Sequence, residues 1–431
     1  MAQNNYSHID NSDHIPEPSV GLGFDLNSDG ESYAVRKNTC PDKILVFPAS
    51  HEGKPVTKIL GSRHLIFIEG PRKAILPDTI TTIGVYALCH CTELNEVIIP
   101  ESVVIIDEGA FFHCISLKSL TLPESLRAIG RNAFEGCESF TEITIPRWVD
   151  QIGEGIFADC EELKRIIVSP ENTAYHSKGE CLIETQSQTL VAGCRNSVIP
   201  TDGSVTSIGS NAFRGHVNLK SISIPESVTS IGSGAFSDCS SLTNISLPSG
   251  ITSIEAFTFD SCDSLKQITI PSGVTSIGKY AFKDCSELTR INVPSGVTFI
   301  GDSAFAGCES LTEIIIPEGV TSIGECAFED CYELKKIIIP KSVTSIGKNA
   351  FENCENLTEV TISEGVDSIK PNTFKGCEAL DTIFFKTTVG WKKTGGGFLS
   401  GVPKSLLSNP QKAAKAFSGG KYCETGIERK K

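Results

Sequence analysis

The sequence predicts a β-rich solenoid, an elongated fold in which each turn of the chain stacks on the turn before it. Three observations predict it. A phenylalanine returns every 23 residues between Phe213 and Phe374, and a cysteine returns with the same step between Cys239 and Cys377. Each repeat also carries an alternating apolar segment of the kind seen at residues 143–146. A fixed period of this length is the signature of stacked repeats.

The length and composition agree with this fold class. A chain of 431 residues with one compact core would normally divide into two or three domains. A solenoid avoids that limit because its core grows along one axis and each turn touches only its neighbours. With 22 Phe but only one Met and two Trp, little other large apolar material is present for a conventional core. We therefore expect a single elongated, right-handed superhelix.

The first element of a repeat is a strand, as in Ile143-Thr144-Ile145-Pro146. Its period of two places Ile143 and Ile145 inside and Thr144 outside, and Pro146 ends the strand. A second, short strand follows, with the pattern Val-Thr-Ser-Ile-Gly. The next segment, Ala-Phe-x-x-Cys-x-x-Leu, has apolar residues at i, i+3 and i+6 and predicts a single helical or 3₁₀ turn. Each coil is thus of an α/β type with short helical turns.

Twelve clear repeats define the predicted domain organisation. An Asp29-Gly30 turn between alternating segments predicts a β-hairpin in the N-terminal cap, and Leu65 and Ile68 belong to a degenerate repeat behind it. The phase breaks after residue 168, where two short alternating segments predict a hairpin laid over the solenoid. This segment either replaces a repeat with a longer one or bulges outwards. The predicted segments are a disordered leader 1–19, a hairpin cap and degenerate repeat 20–82, repeats 83–168, a hairpin insertion 169–204, repeats 205–385, and a basic tail with a short helix 386–431.

The charge is unevenly distributed along the chain. Residues 1–385 contain 28 basic and 50 acidic residues, whereas residues 386–431 contain ten basic and two acidic ones. An acidic body disfavours nucleic acid as a partner, because phosphate binding needs a basic surface. The basic tail could touch an anionic polymer, but the pattern favours a tail that folds back on the acidic body or stays solvated.

The cysteines and the N-terminus bear on the compartment. Of 17 cysteines, eleven recur at one apolar position of the repeat, which favours small, buried, free thiols over a disulfide framework. The first 18 residues are polar and do not resemble a signal peptide. No stretch reaches the ~18 apolar residues of a membrane span. We therefore expect a chain without a membrane span, and these features leave a cytoplasmic location open.

The phrase Ile-Gly-x-x-Ala-Phe-x-x-Cys-x-x-Leu-x-x-Ile-x-Ile-Pro, at a step of 23, resembles the BspA-like subfamily of leucine-rich repeat proteins. The resemblance covers roughly residues 56–385, and residues 179–200 resemble the interrupting unit of such proteins. It implies a leucine-rich repeat fold and a surface or secreted protein that adheres to host matrix proteins or to other cells. The resemblance therefore implies a cell-surface or secreted location. The sequence itself shows no export signal that would support this location.

The surface most open to a partner is the outer side of the first strand of each repeat. Adjacent outward isoleucines, Ile315 and Ile338, are unusual there because exposed apolar pairs favour association. The alternative is that the outward residues only serve strand formation. The candidate binding residues are Arg290, Asn292, Glu313, Ile315, Lys336, Ile338, Glu359 and Thr361.

The sequence gives little support for metal binding or for catalysis. Cys89-His90-Cys91 with His113-Cys114 is the one cluster whose residue types resemble metal ligands, but Cys91 and Cys114 belong to the buried column. No motif pairs a Ser or Cys nucleophile with a His at a recognisable spacing. The sequence therefore predicts no catalytic, cofactor-binding or metal-binding residues, and no cofactor.

The function that these observations favour is non-enzymatic binding or adhesion. An extended face of many weak contacts suits a protein or glycan partner, which the resemblance identifies with host matrix or cell-surface molecules. The chain is expected to be monomeric. The alternative is an intracellular scaffold for protein interactions, and an enzyme is a remote third possibility.

Overall fold

The computed structural model describes residues 17–37, 43–62, 70–393, 403–420 and 422–429. They form a β-solenoid of about 15 turns. The twelve clear repeats supply most of these turns, and the caps and the insertion add the others. The predictions for residues 1–16, for Leu65 and Ile68, and for the glycine run 395–397 lie outside the described residues.

The strands of the N-terminal cap begin two of the sheets that continue into the repeats. They are Leu22–Leu26 (β1), Tyr33–Lys37 (β2), Ile44–Val46 (β3), Ser50–His51 (β4) and Lys54–Leu60 (β5). β1 and β2 form the predicted antiparallel hairpin, with Gly30 in the turn at φ +68°. β2 then pairs in parallel with β5, which leads into the repeats. Val35, Val56 and Ile59 are buried beneath this sheet.

In the repeats, strands of two kinds stack in parallel. Long strands of three or four residues precede the proline, and short strands of two residues precede the glycine. The first half contains Lys73–Ile75 (β6), Thr82–Ile83 (β7), Glu96–Ile98 (β8), Ile105–Ile106 (β9), Ala128–Ile129 (β10), Glu142–Ile145 (β11), Gln151–Ile152 (β12) and Arg165–Val168 (β13). Each pair keeps a 23-residue register, as in Ile143 with Ile166. The predicted alternation is confirmed, since Ile143 and Ile145 are buried and Thr144 is exposed.

The insertion enters the stack of coils between the two halves. Its strands are Tyr175–Lys178 (β14), Cys181–Glu184 (β15) and Thr189–Ala192 (β16). β15 pairs antiparallel with both neighbours, and β16 then pairs in parallel with the first short strand of the second half. Leu182 packs in the core of the first half, whereas Cys181 and Ile183 pack in the core of the second. β15 is thus a partition between two hydrophobic cores.

The second half repeats the two kinds of strand more regularly. Its strands are Ser207–Ile208 (β17), Ser221–Ser223 (β18), Ser230–Ile231 (β19), Asn244–Ser246 (β20), Ser253–Ile254 (β21), Gln267–Thr269 (β22), Ser276–Ile277 (β23), Arg290–Asn292 (β24), Phe299–Ile300 (β25), Glu313–Ile315 (β26), Ser322–Ile323 (β27), Lys336–Ile339 (β28), Ser345–Ile346 (β29), Glu359–Ile362 (β30), Ser368–Ile369 (β31) and Thr382–Phe385 (β32). The short strands form one parallel ladder from β21 to β31.

The C-terminal segment covers the last coil. It contains Trp391–Lys393 (β33), Lys404–Leu407 (α1), Pro410–Ser418 (α2) and Ile427–Arg429 (β34). Asn409 caps α2, because its side chain accepts a hydrogen bond from the Lys412 backbone N–H. β34 pairs antiparallel with β31, and Arg429 donates to Asp367 at 2.7 Å. This part of the basic tail therefore folds back on the body, where Phe417 and Ile427 close the hydrophobic end.

The segment predicted to be a helical turn is instead a series of tight turns. The Ala304 N–H donates within the turn to the Gly301 carbonyl, whereas the Phe305 N–H donates to the Ala327 carbonyl of the next coil. Two residues of each turn, four positions apart, have positive φ, as at Ser303 (+51°) and Gly307 (+71°). Left-handed residues at this spacing interrupt any run of helical dihedral angles. The hydrogen bonds therefore alternate between the turn and the next coil.

A side chain at the second positive-φ position of one coil restricts which residue can occupy the same position in the next coil. The Asp284 side chain lies over Gly307, where an added Cβ would be 2.2 Å from its Oδ1. Asn353 lies over Gly376 in the same way. At Gly307 and Gly376 an added side chain would meet both an unfavourable φ and a close contact, which glycine avoids.

We expect Gly307→Ala to lower the free energy of unfolding by about 1–3 kcal/mol, because it combines a strained φ with a close contact. The companion change Asp284→Gly should restore part of that loss by removing the contact. Urea unfolding of the three variants measures both effects. Gly273→Ala is the control, since its nearest neighbour would lie at 3.5 Å. An equal loss in both alanine variants would contradict this account.

The core is a column of stacked phenylalanine rings. In the second half, neighbouring rings lie 5.1–5.7 Å apart with interplanar angles of 1–14°. The rings of Phe111, Phe134 and Phe157 stack similarly in the first half. The insertion separates Phe157 from Phe213, and the hydrophobic core divides into two clusters there. Each ring therefore depends on the coils directly before and after it.

Candidate functional site

Each long strand presents alternate residues outward, with a buried residue between them. In β26, Glu313 and Ile315 are exposed and Ile314 is buried. The strand has this orientation because Ile314 and Ile316 point into the core and alternate residues point the other way. Parallel stacking then repeats the outward positions from coil to coil.

All eight candidate residues lie on one side of four successive long strands. They occupy matching positions on β24, β26, β28 and β30, with Asn292 beside Ile315 and Ile338 beside Thr361. Ile315 is 76% exposed and Ile338 is 66% exposed. We call this surface the strand-face patch, defined by Arg290, Asn292, Glu313, Ile315, Lys336, Ile338, Glu359 and Thr361.

Charged pairs lie beside the two isoleucines of the strand-face patch. The Arg290 Nε is 3.8 Å from Glu313 Oε1, and the Lys336 Nζ is 3.6 Å from Glu359 Oε2. These side chains are well exposed, so the ion pairs contribute little to stability. The four charged groups can therefore leave these ion pairs and pair with charges of a binding partner, with little loss of folding free energy.

The strand-face patch contains a break in the sheet. The strands β22, β24 and β26 form one sheet, and β28, β30 and β32 form the next. A shallow cavity of about 330 Å³ lies at this junction, lined by Thr312, Glu313, Lys335 and Lys336. The patch thus combines two exposed apolar side chains with a small polar cleft.

The Cys-His cluster near the N-terminus has structural contacts. The rings of His90 and His113 stack with centroids 5.4 Å apart. The Cys89 thiol donates to the Ser62 carbonyl at 3.3 Å, and the Cys114 thiol donates to the Leu88 carbonyl at 3.1 Å. In the described ranges, no three His, Cys, Asp or Glu side chains are grouped so that they could hold a metal ion.

The cysteine column has a role that the sequence reasoning missed. Ten of its eleven thiols donate to a carbonyl of the preceding coil, as Cys308 does to Phe282 at 3.2 Å and Cys331 to Phe305 at 3.2 Å. Every described cysteine is a free thiol. Burial raises the pKa of the Cys308 thiol well above its ordinary value. A buried, protonated thiol is a poor nucleophile, so the column serves the structure.

A second cluster of functional groups lies on the turn side and was also missed. The Arg214 guanidinium lies 3.2 Å from Glu135, 3.6 Å from Asp159 and 3.3 Å from Asp238. Glu135 and Arg214 are 79 residues apart because the insertion separates them in sequence. This separation concealed the cluster, although only one coil lies between the two residues in the stack, as the Asp159 N–H donates to the Arg214 carbonyl.

Burial raises the pKa of two carboxyls in this region. The pKa of Asp159 rises mainly through burial, although the positive charge of Arg214 opposes the rise. The pKa of Asp260 rises to about 6 for the same reason, against the opposing charge of Lys283. The Oδ1 of Asp260 is buried and makes no hydrogen bond within the described residues. This carboxyl therefore has an unused acceptor.

The described helices include none with the length and hydrophobicity that crossing a bilayer requires. This finding concerns only α1 and α2.

The repeats of this chain match those of a known protein family. A family model for the BspA type leucine-rich repeat region (6 copies) matches residues 72–179, 189–312 and 298–395, which together exceed half of the chain. No match is found among curated proteins.

Three solved structures share the fold. A leucine-rich repeat protein from Bacteroides ovatus is 27% identical with a TM-score of 0.51, and covers 86% of this chain and 94% of its own. A leucine-rich cell surface protein from Faecalibacterium prausnitzii is 27% identical with a TM-score of 0.52, covering 87% and 96%. A leucine-rich repeat protein from Eubacterium ventriosum, 22% identical with a TM-score of 0.54, covers 72% and 93% and shows the fold alone. With its 23-residue repeat, its stacked coils and the family match, this chain belongs to the BspA-type leucine-rich repeat proteins.

Proposed function

We propose that the protein is a non-enzymatic binding protein that docks a protein partner on the strand-face patch, at a cell surface. The observation that carries the proposal is the exposure of Ile315 and Ile338, at 76% and 66%, on successive coils. Water contact with neighbouring large apolar side chains is unfavourable, and a partner that covers them gains most of its binding free energy there.

The surroundings of the isoleucines fit a protein interface. Such interfaces place apolar residues at the centre and charged residues at the rim. Here the Arg290–Glu313 and Lys336–Glu359 pairs lie along one edge of the isoleucines, in the outward column two residues before them. Because both charge signs are present, the patch suits a partner with both signs and is unsuited to a polyanion.

The extent of the surface favours a macromolecule. Four coils at a spacing of ~4.8 Å extend only roughly 15 Å along the stack, so the patch alone falls short of the ~800 Å² of surface that each partner contributes to a stable interface. Neighbouring outward residues, including Phe384 at 40% exposure, would have to contribute as well. An extended partner lying along several coils meets this requirement.

The location is supported by similarity. The Faecalibacterium prausnitzii relative is described as a cell surface protein, and its whole length resembles this chain. The resemblance of the repeat to BspA-like proteins suggests the class of partner, which is a host matrix or cell-surface protein. We propose that a monomer of this chain binds it.

A binding measurement on the full chain tests this proposal. We expect saturable binding at micromolar concentrations to at least one member of a panel of purified matrix proteins. The double change Ile315→Thr with Ile338→Thr should weaken it about tenfold or more, because two central apolar contacts are lost. Threonine already occupies this position at Thr269 and Thr361, so the strands should form normally.

Ile98→Thr is the matched control, since Ile98 is 52% exposed at the same position in the first half. It should leave the affinity unchanged. Absence of saturable binding to the whole panel, or an equal loss in the control, would reject the strand-face patch as the docking surface.

One observation favours a second candidate, an interaction scaffold inside the cell. All described cysteines are free thiols, a state that reducing compartments preserve. Fractionation of the native cell distinguishes the two, because a surface protein is found in the envelope or the medium and a scaffold in the cytosol.

A further inference from the structure

A cavity of about 310 Å³ opens on the turn side of the second half, away from the strand-face patch. It lies where the coils carrying Asn211, Gly234 and Phe257 meet. These three residues occupy the same positive-φ position in successive coils. Gly234 has no side chain, so a gap remains between the amide of Asn211 and the ring of Phe257.

One wall of the cavity is an aromatic ring with a free face. Tyr280 of the next coil stacks on one face of Phe257, with centroids 4.8 Å apart and planes 12° from parallel. Since Tyr280 follows Phe257 in the stack and Gly234 precedes it, the other face is directed toward the cavity. Phe257 is 40% exposed.

The two aromatic residues stand in an unfavourable backbone conformation. Their φ values are +59° at Phe257 and +57° at Tyr280, where other coils use Asn or Gly at Asn211, Gly234 and Asn349. Bulky residues rarely adopt this region. Such strain is found where function requires the side chain, so these rings have a use besides folding.

The other walls offer both donors and acceptors of hydrogen bonds. Asp238 accepts from the Ser237 hydroxyl at 2.9 Å and from the Arg214 guanidinium at 3.3 Å. Asp260 also lines the cavity. The amide of Asn211 lies opposite the ring. A ligand here meets an apolar face on one side and mixed polar groups on the others.

We propose that this cavity binds a single pyranose ring of a glycan. The C–H face of a sugar ring packs on an aromatic ring, and its hydroxyls donate to carboxylates and accept from amides and guanidinium groups. The volume is at the lower end of the ~300–1,000 Å³ of ligand pockets, which suits one ring with the remaining glycan outside. The site is separate from the strand-face patch and does not depend on it.

Saturation-transfer NMR of the full chain with methyl glycosides of glucose, galactose, mannose, fucose, N-acetylglucosamine and N-acetylgalactosamine tests the proposal. We expect transfer to at least one glycoside, and titration should show about tenfold weaker binding after Phe257→Asn. Asparagine suits the positive φ, so this variant should fold at least as well as the parent. Asp260→Asn should weaken binding too, by replacing an acceptor-only carboxylate.

Two controls separate this site from others. Tyr86→Asn changes an aromatic residue at the same position in the first half and should leave glycoside binding unchanged. The double threonine variant of the strand-face patch should bind the glycoside normally. No transfer to any glycoside, binding that is unaffected by Phe257→Asn, or occupation of the cavity by a lysine-rich peptide in place of the sugars would overturn the proposal.

Discussion

Phe282→Ala should lower the free energy of unfolding by about 3–5 kcal/mol, the largest effect that we expect from one substitution. The ring is fully buried between Phe259 at 5.3 Å and Phe305 at 5.4 Å, so its removal leaves a cavity lined by two other rings. Because each coil contacts only its neighbours, the loss should be local. Hydrogen exchange should show weakened protection in the coils of Phe259 and Phe305 and little change in residues 83–168.

Phe299→Ser is the control for this prediction. Phe299 is 39% exposed on a short strand, at a position where Ser276 and Ser322 stand in the adjacent coils. Its replacement should change stability by less than about 0.5 kcal/mol. An equal loss of protection in every coil of the Phe282→Ala variant would contradict the nearest-neighbour picture.

The second large effect concerns pH and His216. This residue stands in the cysteine column at the junction with the insertion, where it is buried and its Nδ1 makes no hydrogen bond within the described residues. Burial lowers its pKa from 6.5 to about 4, although the Gly193 carbonyl favours the charged form. The unfolded chain therefore takes up a proton below pH 6.5, whereas the folded chain does so only near pH 4.

It follows that His216 contributes its full stability above about pH 6.5 and loses it as the pH falls to 4. At 1.36 kcal/mol for each pKa unit, the loss amounts to roughly 3 kcal/mol. His216→Gln keeps a side-chain donor for the Gly193 carbonyl and removes the titration. Urea unfolding between pH 4 and 7.5 should show the difference between parent and variant change by about this amount. Parallel pH profiles would show that His216 is not responsible.

Much of the fold could be predicted because the same residue pattern recurs in twelve repeats. The alternation of Ile143, Thr144 and Ile145 indicated which side of each strand is buried, and the structure confirms it. The candidate residues of the strand-face patch share one surface for the same reason, since a 23-residue register brings equal positions together. Whether that patch binds a partner stays a prediction.

The tight turns were mistaken for helical turns because apolar residues at i, i+3 and i+6 suit either structure. A distinguishing signal was present in the sequence. Asn, Gly or Asp recurs two residues before and two residues after most of the phenylalanines, as in Asn349 and Asn353 around Phe351. These residue types tolerate positive φ, and two such positions four residues apart exclude a helix.

The thiol column shows a limit of reasoning from burial alone. Cysteine was interpreted as a small apolar residue, and the buried positions agree with that. The structure adds that the carbonyls of most column phenylalanines point toward the next coil and receive a thiol, as Phe282 does from Cys308. The Phe282 carbonyl also accepts from the Cys285 N–H at 3.4 Å, so the thiol is a second donor, which alanine could not supply.

By itself, the sequence determined the period and the inward and outward sides of each strand. These features are local, since they depend on residues within one coil and on the need to bury their apolar side chains. Only the tertiary structure decided that the insertion partitions the core, that Arg214 meets Glu135 from 79 residues away, and that Gly234 leaves a cavity beside Phe257. Those relations join different coils, and no pattern within one repeat records which coils become neighbours.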